Sequence, residues 1–249
     1  MFIRRIFALV AGALLLLSGG GLSAVADDKV FTVAVNHAPP YRIISSSDTQ
    51  ASFSGIYVDI AKKLAAEKGI AIEFVEVPFA RALAMMEAGT ADLMLGPNRT
   101  PERERYMAYL PTPIDEEPKI FLVRDDAPVV RGYADLTGLV IAVLDNSVYF
   151  DRFDADETLQ KFEVSSYEIA FGMLAAKRLD VAIVPERVGG YLMRGYEGFA
   201  VSPYRVNGRP SYIAVSRKSE LMGRFQELNR SLGGLVESGD VERVLASYR

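Results

Sequence analysis

The chain has 249 residues, half of them apolar and 24% charged, with 28 basic and 32 acidic side chains, one His and no Cys or Trp. That length suits one or two packed domains of ordinary globular composition, and a formal charge of −4 argues against a nucleic-acid binder, which normally presents a basic face. The lack of Cys excludes a disulfide framework, thiolate metal sites, a thiol nucleophile and a lipidated-cysteine anchor, and a lone His37 excludes a His-rich metal site.

The first segment reads as an address. Arg4 and Arg5 precede the apolar run Ile6–Leu17, and small residues lead to Ala24-Val25-Ala26. This is the order of a secretory signal peptide, with cleavage expected after Ala26. The run falls short of the ~20 residues that span a bilayer. The expected product is a soluble periplasmic protein.

Val30–Val35 is rich in β-branched residues and predicts a strand, broken by Pro39-Pro40. Ser45–Ser54 reads as a loop or hairpin tip. Gly55–Lys68 places Ile56, Ile60 and Leu64 on one helical face, with Gly69 as a stop. A strand over Ala71–Val77, a helix over Ala80–Glu87 and a strand over Ala91–Leu95 follow, and a helix is expected over Pro101–Met107. The β-α-β-α-β order predicts a largely parallel sheet. A second unit repeats the plan: strands Lys119–Val123 and Leu139–Leu144, a helix beginning at Ser147, strand Glu163–Ser165, helix Tyr167–Ala176 and strand Val181–Val184. The segments ending in Asp92 and Asp180 echo each other as helix, tight turn, Asp and apolar strand, which suggests that both aspartates cap backbone. Strand Tyr212–Val215, an amphipathic stretch Ser219–Leu235 and a helix Val241–Tyr248 close the chain. Two similar α/β lobes with a cleft between them are expected.

The ordered landmarks resemble the family 3 extracellular solute-binding proteins, the amino-acid receptors of ABC importers. Gly55-Ile56-Tyr57-Val58-Asp59-Ile60 is similar to the family's helix entry, and Pro78-Phe79 with Gly89 and Asp92 to its second helix and third strand. Gly96-Pro97-Asn98-Arg99-Thr100-Pro101-Glu102-Arg103 is similar to its G-x-T-x-T-x-E-R signature, and Asp135-Leu136-Thr137-Gly138 to its second-lobe entry. The resemblance spans residues 29–249. It implies a type II periplasmic-binding-protein-like α/β fold with two hinge crossings, lobes of 27–115 with 209–249 and of 116–208, and a ligand in the inter-lobe cleft. It also implies an inner-membrane ABC permease as partner, a monomer, and no chemistry on the ligand.

Carried over residue by residue, the resemblance gives Arg103 the ligand's α-carboxylate, which a planar guanidinium suits. Thr100 is the expected N-cap of its helix. Asn98 stands where the family commonly has Thr, and Asn146-Ser147 where it often has Gly-Thr; both are candidate ligand donors, as is the backbone at Gly96. Tyr41 and Phe79 match flanking aromatic positions. The family's ammonium-binding Asp is replaced by Pro185, so the neighbouring Glu186 is the candidate substitute. His37, at the end of the first strand, is a further candidate contact. Arg81 reads as a surface residue, and Glu116-Glu117 as a solvated turn. No metal or other cofactor is expected. Because some relatives resemble periplasmic cyclohexadienyl or arogenate dehydratases, an enzyme on the same fold is the alternative; a module reporting to a separate membrane kinase is another.

Overall fold

The computed structural model describes residues 29–46 and 51–248; the expected signal segment and its cleavage site lie outside them. β1 (Val30–Val35) leads through a cis Pro39–Pro40 turn into a hairpin of β2 (Ile43–Ser46) and β3 (Ala51–Ser54), then α1 (Ile56–Lys68), β4 (Ala71–Glu76), α2 (Phe79–Ala88), β5 (Leu93–Leu95) and β6 (Met107–Tyr109). The chain then passes to β7 (Lys119–Arg124), β8 (Val140–Leu144), α3 (Asp151–Ala155), β9 (Gln160–Val164), α4 (Tyr167–Ala175), β10 (Val181–Pro185), α5 (Glu186–Met193) and β11 (Phe199–Val206). It returns for β12 (Ile213–Ser216), α6 (Phe225–Glu237) and α7 (Asp240–Ser247).

These strands make two five-stranded sheets, ordered β4-β1-β5-β12-β6 and β11-β7-β10-β8-β9. In each, three neighbouring strands run parallel and the remaining two pair antiparallel. Two chain segments cross between the sheets, after β6 and after β11. The two-residue period of a strand sorts the apolar side chains onto opposite faces. In the first sheet Val33, Val35, Leu93, Leu95, Ile213 and Val215 pack with α1, α6 and α7, while Ala34, Met94 and Ala214 face α2 through Ala82 and Met86. In the second, Ile120, Leu122, Ala182 and Val184 meet α4 and α5, while Phe121, Ile141, Val181 and Ile183 meet Phe153 and Leu136. Both sheets are therefore covered on both faces, as parallel strands require.

The echo between the lobes has a common physical basis. Asp92 Oδ2 accepts the Thr32 N–H at 2.9 Å, and Asp180 Oδ2 accepts the Val140 N–H at 2.8 Å. Each aspartate satisfies a backbone donor near the start of its lobe's first parallel strand. Gly69 and Gly89 take the left-handed conformation that ends α1 and α2.

Two expected helices differ. The segment 101–107 forms only a 3-10 turn over Arg103–Arg105, because Met107–Tyr109 pairs with β12 as a sheet edge. Thr100 still caps that turn weakly, its Oγ1 accepting the Arg103 N–H at 3.3 Å. The helix expected from Ser147 begins at Asp151, after a turn in which Asn146 sits at φ 56°. Asp154, inside the helix, accepts the Tyr149 N–H at 3.0 Å, so Ser147 caps nothing.

Candidate functional site

The two lobes touch across the cleft through several polar links. Arg103 is buried, with 6% of its surface exposed. Its Nη1 donates to the Asn98 carbonyl at 3.0 Å in the first lobe and its Nη2 to the Asn146 carbonyl in the second. The guanidinium also lies over the Phe79 ring, 5.5 Å from its centroid. The Asn98 side chain donates across the cleft to the Val148 carbonyl at 2.7 Å. His37 accepts the Ile44 N–H on Nδ1 at 3.0 Å, and its Nε2 lies 3.7 Å from Glu168 on α4.

Behind these links lies a cavity of about 70 Å³, walled by both lobes. Of the candidates from sequence, Tyr41, Phe79, Gly96, Asn98 and Ser147 line it. Arg103 and Asn146 form the bridge at its edge, and His37 belongs to the separate contact with Glu168. Glu186 does not reach the cavity: it ion-pairs with Arg205, and both side chains are more than 40% exposed. Arg81 is exposed on α2. A second, open groove of about 1,120 Å³ flanks the far side of Arg103. Its wall includes solvated charges such as Glu102 and Arg105, whereas the smaller cavity is lined by charged groups largely withdrawn from water, where charge pairing is stronger.

Those withdrawn groups were not singled out as candidates from the sequence. Arg42 is 8% exposed; its Nε and Nη1 donate to the carbonyls of Asn36 at 3.1 Å and Leu95 at 2.8 Å. Lys119, at the start of β7, lines the same cavity, and burial pushes its ammonium below the usual lysine range. Glu117 is no solvated turn residue. Its Oε2 accepts the Arg187 N–H at 3.1 Å, its Oε1 is buried without a hydrogen-bond partner, and burial raises its pKa. Arg187 also ion-pairs with Asp115, whose carboxylate accepts the Tyr41 hydroxyl at 3.2 Å. Tyr41 stacks on Tyr57 with ring centroids 4.3 Å apart.

Glycine is needed at two places here. Gly96 sits at φ 79°, where a Cβ would lie 2.3 Å from the Tyr57 ring and 3.1 Å from Arg42 Nη1. At Gly208, in the second crossing, a Cβ would fall 1.7 Å from the Glu117 carbonyl oxygen. The crossings thus lie backbone to backbone beside the cavity. Among the described residues, no group of three or more His, Asp or Glu could hold a metal ion, and no helix is long and apolar enough to cross a membrane.

Two α/β lobes, two crossings and a cavity between them are the architecture of a type II periplasmic binding protein. The chain belongs to the bacterial extracellular solute-binding proteins, family 3, whose model matches residues 31–248. It is similar to the arginine-binding extracellular protein ArtP of Bacillus subtilis, at 23% identity over 197 residues, covering 76% of this chain and 75% of ArtP. Its fold is similar to that of AbpA, an amino acid ABC transporter substrate-binding protein of Streptococcus pneumoniae solved with L-arginine (TM-score 0.78, 18% identity, 88% of this chain and 94% of that one). A periplasmic binding protein of Salmonella typhimurium with high arginine specificity is similar too (TM-score 0.76, 19% identity, 88% and 99% covered).

Proposed function

We propose that this protein is the periplasmic receptor of an ABC importer, binding an amino acid or related small carboxylate by closure of its two lobes. In this reading the chain is cut after Ala26. One lobe is 27–115 with 209–249, the other is 116–208, and the closed monomer is what an inner-membrane permease receives. The ligand is carried, not transformed. The observation that supports this best is the cavity itself: both lobes wall it, and Arg42, Lys119 and Glu117 face it from positions withdrawn from water. Such groups bind a small polar solute because the low local dielectric strengthens each pairing, and the aromatic wall of Tyr41, Tyr57 and Phe79 supplies apolar area. The names of the relatives point the same way, since ArtP and AbpA bind an amino acid.

Titration calorimetry of the purified protein against the common amino acids and C3–C5 dicarboxylates tests the proposal. One saturating isotherm at one site per chain is expected. Heat from none of these solutes would refute it.

A further inference from the structure

We infer that the cavity selects a small solute with two carboxylates, a dicarboxylate or an acidic amino acid, rather than the arginine named for its relatives. The inference rests on the receptor reading above and narrows it.

The warrant is a charge count around the cavity. Arg42, buried but for a small exposed part, spends its Nε and Nη1 on two neutral carbonyls, and its Nη2 has no hydrogen-bond partner among the described residues. No described carboxylate lies within ion-pair distance of it. Lys119 likewise makes neither a hydrogen bond nor an ion pair through its ammonium among the described residues, and Glu117 and Asp115 act on it only from beyond ion-pair distance. Arg103, at the cavity edge, meets only the carbonyls of Asn98 and Asn146. A fourth cation, Arg209, also lines the cavity but is already neutralised by Asp151 and Asp154. On the acidic side stand Glu117 and Asp115, and both contact Arg187. Both carboxylates are thus engaged by Arg187, which leaves Arg42 and Lys119 as two cavity-lining cations without an ion pair among the described residues.

Buried cations without counter-charges are costly and are retained where something else supplies the charge. Two missing negative charges match a solute with two carboxylates. Arg42 and Lys119 offer a forked donor and a point charge, one of each kind. A cationic amino acid would instead add a positive charge to a wall already in excess. Its guanidinium would find one cavity-lining carboxylate, Glu117, with Oε2 taken by Arg187 and only Oε1 open, against two cations without an ion pair. Burial lowers the pKa of Lys119 and raises that of Glu117, so both groups sit where charge is poorly solvated.

The test is calorimetry of the purified protein with succinate, glutarate, L-aspartate, L-glutamate, L-glutamine and L-arginine at pH 7. At least one of the four acids, each with two carboxylates, is expected to bind ten times or more tighter than glutamine and arginine. Lys119→Met is expected to weaken that acid tenfold or more, with Lys119→Arg recovering most of the loss; unfolding midpoints of both variants confirm that they fold. If arginine or glutamine binds as tightly as every acid, the two-carboxylate inference fails and the receptor reading stands. If the best acid binds Lys119→Met as well as it binds the parent, the charge argument fails. Silence from all six overturns the inference, and silence from the full amino-acid and dicarboxylate panel overturns the receptor reading with it.

Discussion

Arg103 links the two lobes through one side chain, and its removal gives a magnitude that can be worked out. Arg103→Met keeps an unbranched apolar stem but removes the guanidinium and both hydrogen bonds. The bond to the Asn98 carbonyl lies within one lobe and persists whether the cleft is open or shut. The bond to the Asn146 carbonyl crosses the cleft and exists only when it is shut. A hydrogen bond from a charged donor contributes about 1.5–3 kcal/mol net. Losing the crossing bond alone therefore lowers the closed-to-open ratio by about 10- to 150-fold, at 1.4 kcal/mol per tenfold. Apparent affinity scales with the fraction of molecules able to bind in the closed form, so ligand affinity falls by a factor approaching this as the open form becomes dominant. Calorimetry reads the affinity, and small-angle scattering reads the larger radius of gyration of the unliganded variant. An affinity within twofold of the parent, together with an unchanged scattering curve, would refute the bridging role.

Lys119→Met should raise the unfolding midpoint of the unliganded protein by about 2–4 °C for each kcal/mol of relieved desolvation; a lower midpoint would contradict the view that its charge is held against a cost. Gly208→Ala forces a Cβ onto the Glu117 carbonyl. It should cost at least about 2 kcal/mol in denaturant unfolding, and an unchanged midpoint would show that the crossings do not pack as described. Asp180→Ala strips the Val140 N–H of its acceptor and should cost about 1–3 kcal/mol; thermal melts with no loss would deny the strand-capping role. Glu117 has its pKa raised by burial. As pH rises from the usual carboxylate value to the raised one, the folded state keeps a proton that the unfolded chain has released, so stability falls through that window. Glu117→Gln should flatten that part of the stability–pH curve, and an identical curve would refute the assignment.

Much of the fold was legible because its signals are local. β1, α1, β4, α2 and β10 follow from apolar period and from glycine stops, and the Asp92–Asp180 echo exposed the repeated lobe plan. What escaped depends on partners distant in sequence. β11 carries Pro203, which disfavours a strand; the chain accommodates it at a register shift between Val201 and Arg205 on a sheet edge. α5 contains Gly189-Gly190, which reads as a turn, but at Gly189 a Cβ would lie 2.7 Å from Ile120, so glycine there lets the helix pack close to β7. The helix expected around Arg103 yields to pairing of Met107–Tyr109 with β12, a contact across more than a hundred residues. The site divides in the same way. Aromatic and glycine positions such as Tyr41, Phe79 and Gly96 came from motif order. Arg42, Lys119 and Glu117 look like ordinary surface charges until the crossings and both sheets enclose them. Glu186 neighbours Pro185 in sequence, yet the onset of α5 directs it to Arg205.

The most direct test of the central claim is a dye-reported thermal shift of the purified protein and of Arg42→Met, each with saturating solute from the amino-acid and dicarboxylate panel. A ligand at a hundred times its Kd adds about 2.7 kcal/mol, or roughly 5–10 °C at this size. A rise of that order is expected for one small carboxylate in the parent, and its loss in Arg42→Met. No rise with any of these solutes, or an equal rise in the variant, would contradict the assignment of solute binding to the cavity between the lobes.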